Sequence, residues 1–242
     1  MGGCGPRGPI WNGHAVSADR PTSVCRLVSG AMTHREAFVD AARAAQSLLA
    51  DPAVAARWAD PSACEGFTVG GLAAHLATQV LKVPDVLAGE GRADAPRTLL
   101  GHYSSAAWVG ADLESDINVG IRDGGEALAG EGAQGLAGQV ADVTAQLSAL
   151  LAAEPADRVV VLPWVGWSLT LEDYLTTRMM EIAVHRDDLA VSVGVDVDDL
   201  PDGVFGPVLD LLARLAARRH GQTALLRALA RAERAPDRVN AL

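Results

Sequence analysis

The sequence predicts an all-α fold of helices packed on helices, and three observations carry the prediction. Apolar residues make up 49% of the 242 positions while aromatics make up only 4%. Ala and Leu dominate, a composition that favours helix. Apolar residues recur at i, i+3 and i+4 through several long stretches. Those stretches are bounded by Thr caps at one end and by Gly or Pro at the other.

The composition also limits function. A chain of this length buries a real core, as one large domain or as one domain with an appendage. The net charge is −10, with Lys82 as the single lysine and no basic tract. Nucleic-acid binding needs clustered Lys or Arg and is not expected. Cys4, Cys25 and Cys64 form no CxxC pair. Their odd count argues against a disulfide framework and against a Cys-rich zinc site. No apolar run reaches the ~18–20 residues that span a bilayer, and the N-terminus has no apolar leader core. The expectation is a soluble cytoplasmic protein with no membrane partner.

Taken in order, residues 1–32 hold Gly, Pro, Ser and Arg without periodicity and read as a disordered N-terminal extension. Thr33-x-x-Glu36 is a capping box. It opens a helix from His34 to about Ala50, with Phe38, Ala41, Ala45, Leu48 and Leu49 as its stripe. Asp51-Pro52 ends that helix, and 53–58 reads as a turn. After the loop PSACEGF, Thr68 caps a helix over 69–82. His75 lies there amid Leu72, Ala73, Leu76 and Val80 and is expected to point inward; Pro84 closes the helix. A helix is predicted over 97–109. Residues 110–132, rich in Gly, Asp and Glu, read as a loop with short helical turns. A clear amphipathic helix covers 134–153. The β-branched and aromatic stretch 158–169 reads as a small hairpin or an extended crossover. A long helix follows over 171–193, capped by Thr170 and ended by Gly194. Two shorter helices, 203–219 and 223–234, complete the chain. The division expected is a helical bundle over 33–195 and a C-terminal helical extension over 196–242.

The long helix carries the chemistry. Glu181 and His185 are four residues apart and share one helix face. Leu175, Met179, Ile182, Leu189 and Val193 recur at helical spacing, which puts the pair on or beside the buried side. A carboxylate there needs a partner. A metal ion is one, and an arginine such as Arg178 on the preceding turn is another. Taken alone, the pair also fits a plain salt bridge. The HExxH motif and the repeated Glu-x-x-His pairs of di-iron bundles are absent.

Two motifs go further. The first is Cys64-x-Gly66-Phe67-Thr68-Val69 leading into Leu72-x-x-His75-Leu76. The second is Arg178-x-x-Glu181-x-x-x-His185-x-x-Asp188-Leu189. With the tail RRHGQTALLRALARAERAP, they resemble the mycothiol-dependent maleylpyruvate isomerase family over about residues 33–240. That family belongs to the DinB-like, thiol-transferase group of four-helix bundles. The resemblance implies a DinB-like four-helix bundle holding one divalent metal, usually zinc, on His75, Glu181 and His185. It implies mycothiol as thiol cosubstrate and a small electrophile as substrate. Three protein ligands leave a fourth position open, the mark of catalytic zinc sites. A free thiol has a pKa of about 8.5, so only about a tenth is thiolate at cytoplasmic pH, and coordination to a metal deprotonates it. Such a thiolate adds to a cis double bond and lets it rotate, or displaces a group from an electrophile. The isomerases carry a substantial second domain where this chain has room for two helices, so maleylpyruvate is read as a family label. The alternative is a non-catalytic metal-binding bundle with a regulatory or sensing role.

The remaining candidates have plainer readings. Asp188, three residues after His185, either orients the imidazole or sits on the surface beside Arg186. Cys64 is expected as a structural thiol, and Trp164 and Trp167 as core. His102 is read as facing away from the site, and His220 as a helix C-terminal cation. Arg178 is expected to pair with a carboxylate.

Overall fold

Four long helices make the core of this computed structural model, which describes residues 32–90 and 95–242. The disorder expected for residues 1–31 lies outside the described residues. The first of the four is α1 (His34–Leu49). Its capping box forms as the sequence requires: the Glu36 amide donates to Thr33 Oγ1 at 3.2 Å, and the Thr33 amide donates to Glu36 Oε2 at 2.9 Å. A short α2 (Pro52–Ala56) follows, where a turn was expected. Asp51 accepts from the Ala53 amide at 2.8 Å, and Pro52 takes the first helical position. Asp-Pro therefore starts a helix as well as stopping one.

Helix α3 (Val69–Leu81) begins at Thr68, whose Oγ1 accepts from the Gly71 amide at 2.9 Å. Pro84 does not simply close it: α4 (Val83–Ala88) starts at once, with Pro84 in its first turn. Then come α5 (Leu99–Ser105), shorter than the 97–109 expected, and α6 (Asp116–Ala129). The latter corrects the reading of 110–132 as loop; it is a 14-residue helix lying along α3. Helix α7 (Gly132–Ala153) is followed by antiparallel β1 (Val159–Leu162) and β2 (Trp167–Thr170), paired Val159 to Thr170 and Leu162 to Trp167. The hairpin option is the one realised. Gly166 supplies the positive φ, 76°, that the turn demands.

Helix α8 (Leu171–Val193) is capped by Thr170 and ends on Gly194 in the left-handed conformation. Helices α9 (Asp202–His220) and α10 (Gln222–Ala230) follow; α10 stops short of the 234 expected, and a separate 3-10 turn covers Ala232–Arg234. The bundle proper is α1, α3, α7 and α8, with α1 and α3 each packed on both α7 and α8. Phe38, Leu72, Leu76, Leu147, Leu175 and Met179 are fully buried between them, each contributing about 1.5–3 kcal/mol of burial free energy. Helix α9 lies against α1, α5 and α8. Among the described residues α7 alone has the length and apolarity of a bilayer span, although no such run was expected. Its stripe of Leu136, Val140, Leu147 and Leu151 is buried against the bundle instead.

Candidate metal centre

Two helices position the candidate residues. On α3, Leu72, Leu76 and Val80 are buried, and their register turns His75 inward between them. On α8, Met179 and Ile182 are buried, and Glu181 sits on the same inward side. The three expected donors meet there. His185 Nε2 is 3.3 Å and His75 Nε2 is 3.9 Å from Glu181 Oε2. The two imidazoles stand edge to face with ring centroids 4.7 Å apart. All three side chains are shielded, with 14–17% of their surface exposed.

Does the set fit a divalent ion? Tetrahedral bonds of about 2.0–2.1 Å to N and O place neighbouring donors about 3.3 Å apart. The donor atoms here all lie within 4.8 Å of one another, and two imidazoles with one carboxylate are ligands that zinc accepts. The residues fit.

Electrostatics bind the trio together. Burial raises the Glu181 pKa. The facing imidazoles of His185 and His75, with the charges of His185 and Arg178, outweigh it and hold the carboxyl far below its usual range. Burial pushes His75 down, and the neighbouring His185 and Arg178 charges add to that, against Glu181. For His185 burial also lowers the pKa, but contacts with Asp188, Cys64 and Glu181 push it well above its ordinary value. The outer ring nitrogen, Nδ1, lies 3.0 Å from Asp188 Oδ2. Of the two readings of Asp188, the orienting one matches this geometry. A carboxylate on Nδ1 favours the proton there and leaves Nε2 facing Glu181.

Other positions depart from expectation. Cys64 is half-buried beside His185 and Asp188, all three donor atoms within 4.8 Å, so it borders the site. Arg178 pairs with no carboxylate among the described residues; its Nη1 donates to Gln79 Oε1 and its Nε to Thr177 Oγ1 at 3.1 Å. Trp164 is 49% exposed rather than core, with Lys82 Nζ 5.5 Å from its ring. Trp167 is half-buried and donates through Nε1 to His102 Nδ1 at 3.1 Å. His220 closes α9 as expected. The sequence reading missed Tyr103 and Gln79, both buried beside this region. Gln79 was findable: it lies four residues after His75, on the same face of α3.

Fold and site together define a helical bundle with a shielded His-Glu-His cluster shared between two of its helices. The sequence profile of the mycothiol maleylpyruvate isomerase N-terminal domain matches residues 17–190, and the chain belongs to that family. Two solved structures align with it: a mycothiol-dependent maleylpyruvate isomerase, at 17% identity, and a histidine-to-alanine variant described under the same name, at 16%. Each alignment covers 77% of this chain and 71% of the other, with a TM-score of 0.46. No curated protein matches the sequence.

Proposed function

We propose that this chain is a metal-dependent, mycothiol-dependent isomerase or transferase acting on a small electrophile. The observation that carries the proposal is the convergence of His75, Glu181 and His185 from two facing helices into one shielded donor set. These three residues would hold a divalent ion, zinc by preference for this donor type. When bound, such an ion lowers the pKa of a thiol at its open position, so that the thiolate forms at neutral pH.

The chain's own residues do the rest. His185 is fixed by Asp188 on one nitrogen and faces Glu181 with the other. The walls from α3 and α8 exclude bulk water from the donors, which strengthens every charge interaction inside. Cys64 and the Phe67 ring, whose centroid is 5.6 Å from that of His75, lie at the N-terminal approach to α3. The thiol then adds to an activated double bond, the bond rotates as a single bond, and the thiol departs. In the transferase variant the thiol stays on the product. Family membership supports mycothiol as the thiol; maleylpyruvate is the substrate named for the relatives.

The test is turnover. Zinc-loaded protein is expected to consume maleylpyruvate or another small electrophile only when mycothiol is present. Stoichiometric zinc with no thiol-dependent turnover across such electrophiles would favour the non-catalytic, sensing alternative.

A further inference from the structure

Arg178 lies three residues before Glu181, so the two share a face of α8, about one 5.4 Å turn apart. Across from them, His75 and Gln79 are four residues apart on α3, again about one turn. The helices thus meet in two rungs: Glu181 against His75, and Arg178 against Gln79. The second rung is pre-set. Gln79 accepts from Arg178 through Oε1 and donates through Nε2 to the His75 carbonyl at 2.9 Å. Thr177 Oγ1 accepts from Arg178 Nε and donates to the Tyr174 carbonyl at 2.7 Å. The Tyr174 ring lies 5.5 Å from the guanidinium carbon.

What this rung lacks is an anion. A guanidinium stays charged in any protein setting; Arg178 is half-buried, and the one carboxylate whose charge it is shown to act on in the trio is Glu181, which would be taken up as a metal ligand. Among the described residues Arg178 has only neutral partners, and none is assigned to its Nη2. Tyr103 is 2% exposed, and its hydroxyl makes no hydrogen bond among the described residues. The same holds for the hydroxyl of Tyr174. Tyr103 is carried by α5, which packs against α8, and burial raises its phenol, so the hydroxyl stays protonated as a donor. With Glu181 engaged by its two histidines, the hydrogen-bonding capacity left over is that of donors: the Arg178 Nη2 edge and the Tyr103 hydroxyl.

We propose that Arg178, backed by the Tyr103 hydroxyl, is an anion subsite that takes a carboxylate of the electrophile one helical turn from the His75–Glu181–His185 trio. A planar carboxylate matches the free edge of a guanidinium. The turn-length separation selects small electrophiles whose carboxylate is a few bonds from the carbon attacked. Arg178 acts as a specificity-determining residue. The subsite rests on the proposed metal chemistry for its purpose, but its binding can be read without it.

The experiment is ligand-observed NMR on the full chain, zinc-loaded and chelator-treated, with crotonate and the isosteric neutral crotonamide as probes. Crotonate is expected to bind about tenfold tighter than crotonamide with and without zinc. Arg178→Gln is expected to erase the preference, Arg178→Lys to restore part of it, and Tyr103→Phe to weaken crotonate about two- to fivefold. Far-UV circular dichroism checks that each variant is folded; if Arg178→Gln is not, Arg178→Lys and Tyr103→Phe decide. Equal binding of the two probes overturns the subsite, as does a preference that survives in folded variants. A preference that needs zinc and is lost in His75→Ala but not in Arg178→Gln places the carboxylate on the ion: the subsite then fails while the metal centre stands. An Arg178-dependent preference in protein that never loads zinc upholds the subsite and sinks the metal reading.

Discussion

His185 Nδ1 sits 3.0 Å from Asp188 Oδ2, less than one turn along α8, and this contact aims the other ring nitrogen at Glu181. Removing the charge while keeping the shape isolates that role. Asp188→Asn is expected to lower zinc affinity by about 10–100-fold, read by competition with a chelator of known strength. Unchanged affinity would put Asp188 outside the centre.

His75 is the sole member of the trio on α3. His75→Ala is expected to abolish near-stoichiometric zinc, measured by elemental analysis beside the wild type. If only Glu181 and His185 substitutions reduce the metal, the three-residue centre is wrong.

Helices α3 and α6 approach closely where Gly71 faces Gly125. A Cβ on Gly125 would meet the Gly71 carbonyl oxygen at 2.8 Å, and a Cβ on Gly71 would run into the Glu126 carboxylate. Backbone cannot yield as a side chain tip does. Gly125→Ala is expected to cost about 1–3 kcal/mol in urea unfolding. The neighbouring Gly124 has open space around its Cβ position, so Gly124→Ala is expected to be neutral or stabilising by up to about 1 kcal/mol. Equal effects at the two positions would contradict the contact.

His102 is 3% exposed, and its pKa is pushed down to about 4 by burial first and then by the charge of Arg178. The bond from Trp167 Nε1 also needs Nδ1 unprotonated. The folded state therefore refuses a proton that the unfolded chain accepts near pH 6.5. This contribution is full above about pH 6.5 and is lost as pH falls toward 4, by at most about 3 kcal/mol. Between pH 7 and 4.5, wild-type stability is expected to fall more steeply than that of His102→Leu. Parallel slopes would mean that His102 titrates normally.

Caps and periodicity made α1, α3, α7 and α8 legible, because Thr33, Thr68 and Thr170 cap through their own side chains and Gly194 takes the left-handed turn. Helix α6 was not legible. Gly120, Gly124 and Gly125 weaken local helix preference, yet Gly125 is what lets α6 lie against α3. Tertiary approach decided that segment, and no single-sequence pattern encodes it. Within the candidate site, the i, i+4 pair on α8 was visible at once, while His75 entered through the family motif. Arg178 was misjudged because spacing names the neighbours along one helix, and its partner Gln79 belongs to another.

The donors of α3 and α8 are separated in the chain by α4 to α7 and the hairpin, so an ion held by all three closes a very long loop. It would serve as a removable staple between the early and late parts of the fold. Loop-closure entropy grows only slowly with length, and a ligand that binds the native state alone stabilises it by mass action. The melting temperature of this bundle would then follow the free zinc concentration around it, joining the cell's metal supply to the lifetime of the fold.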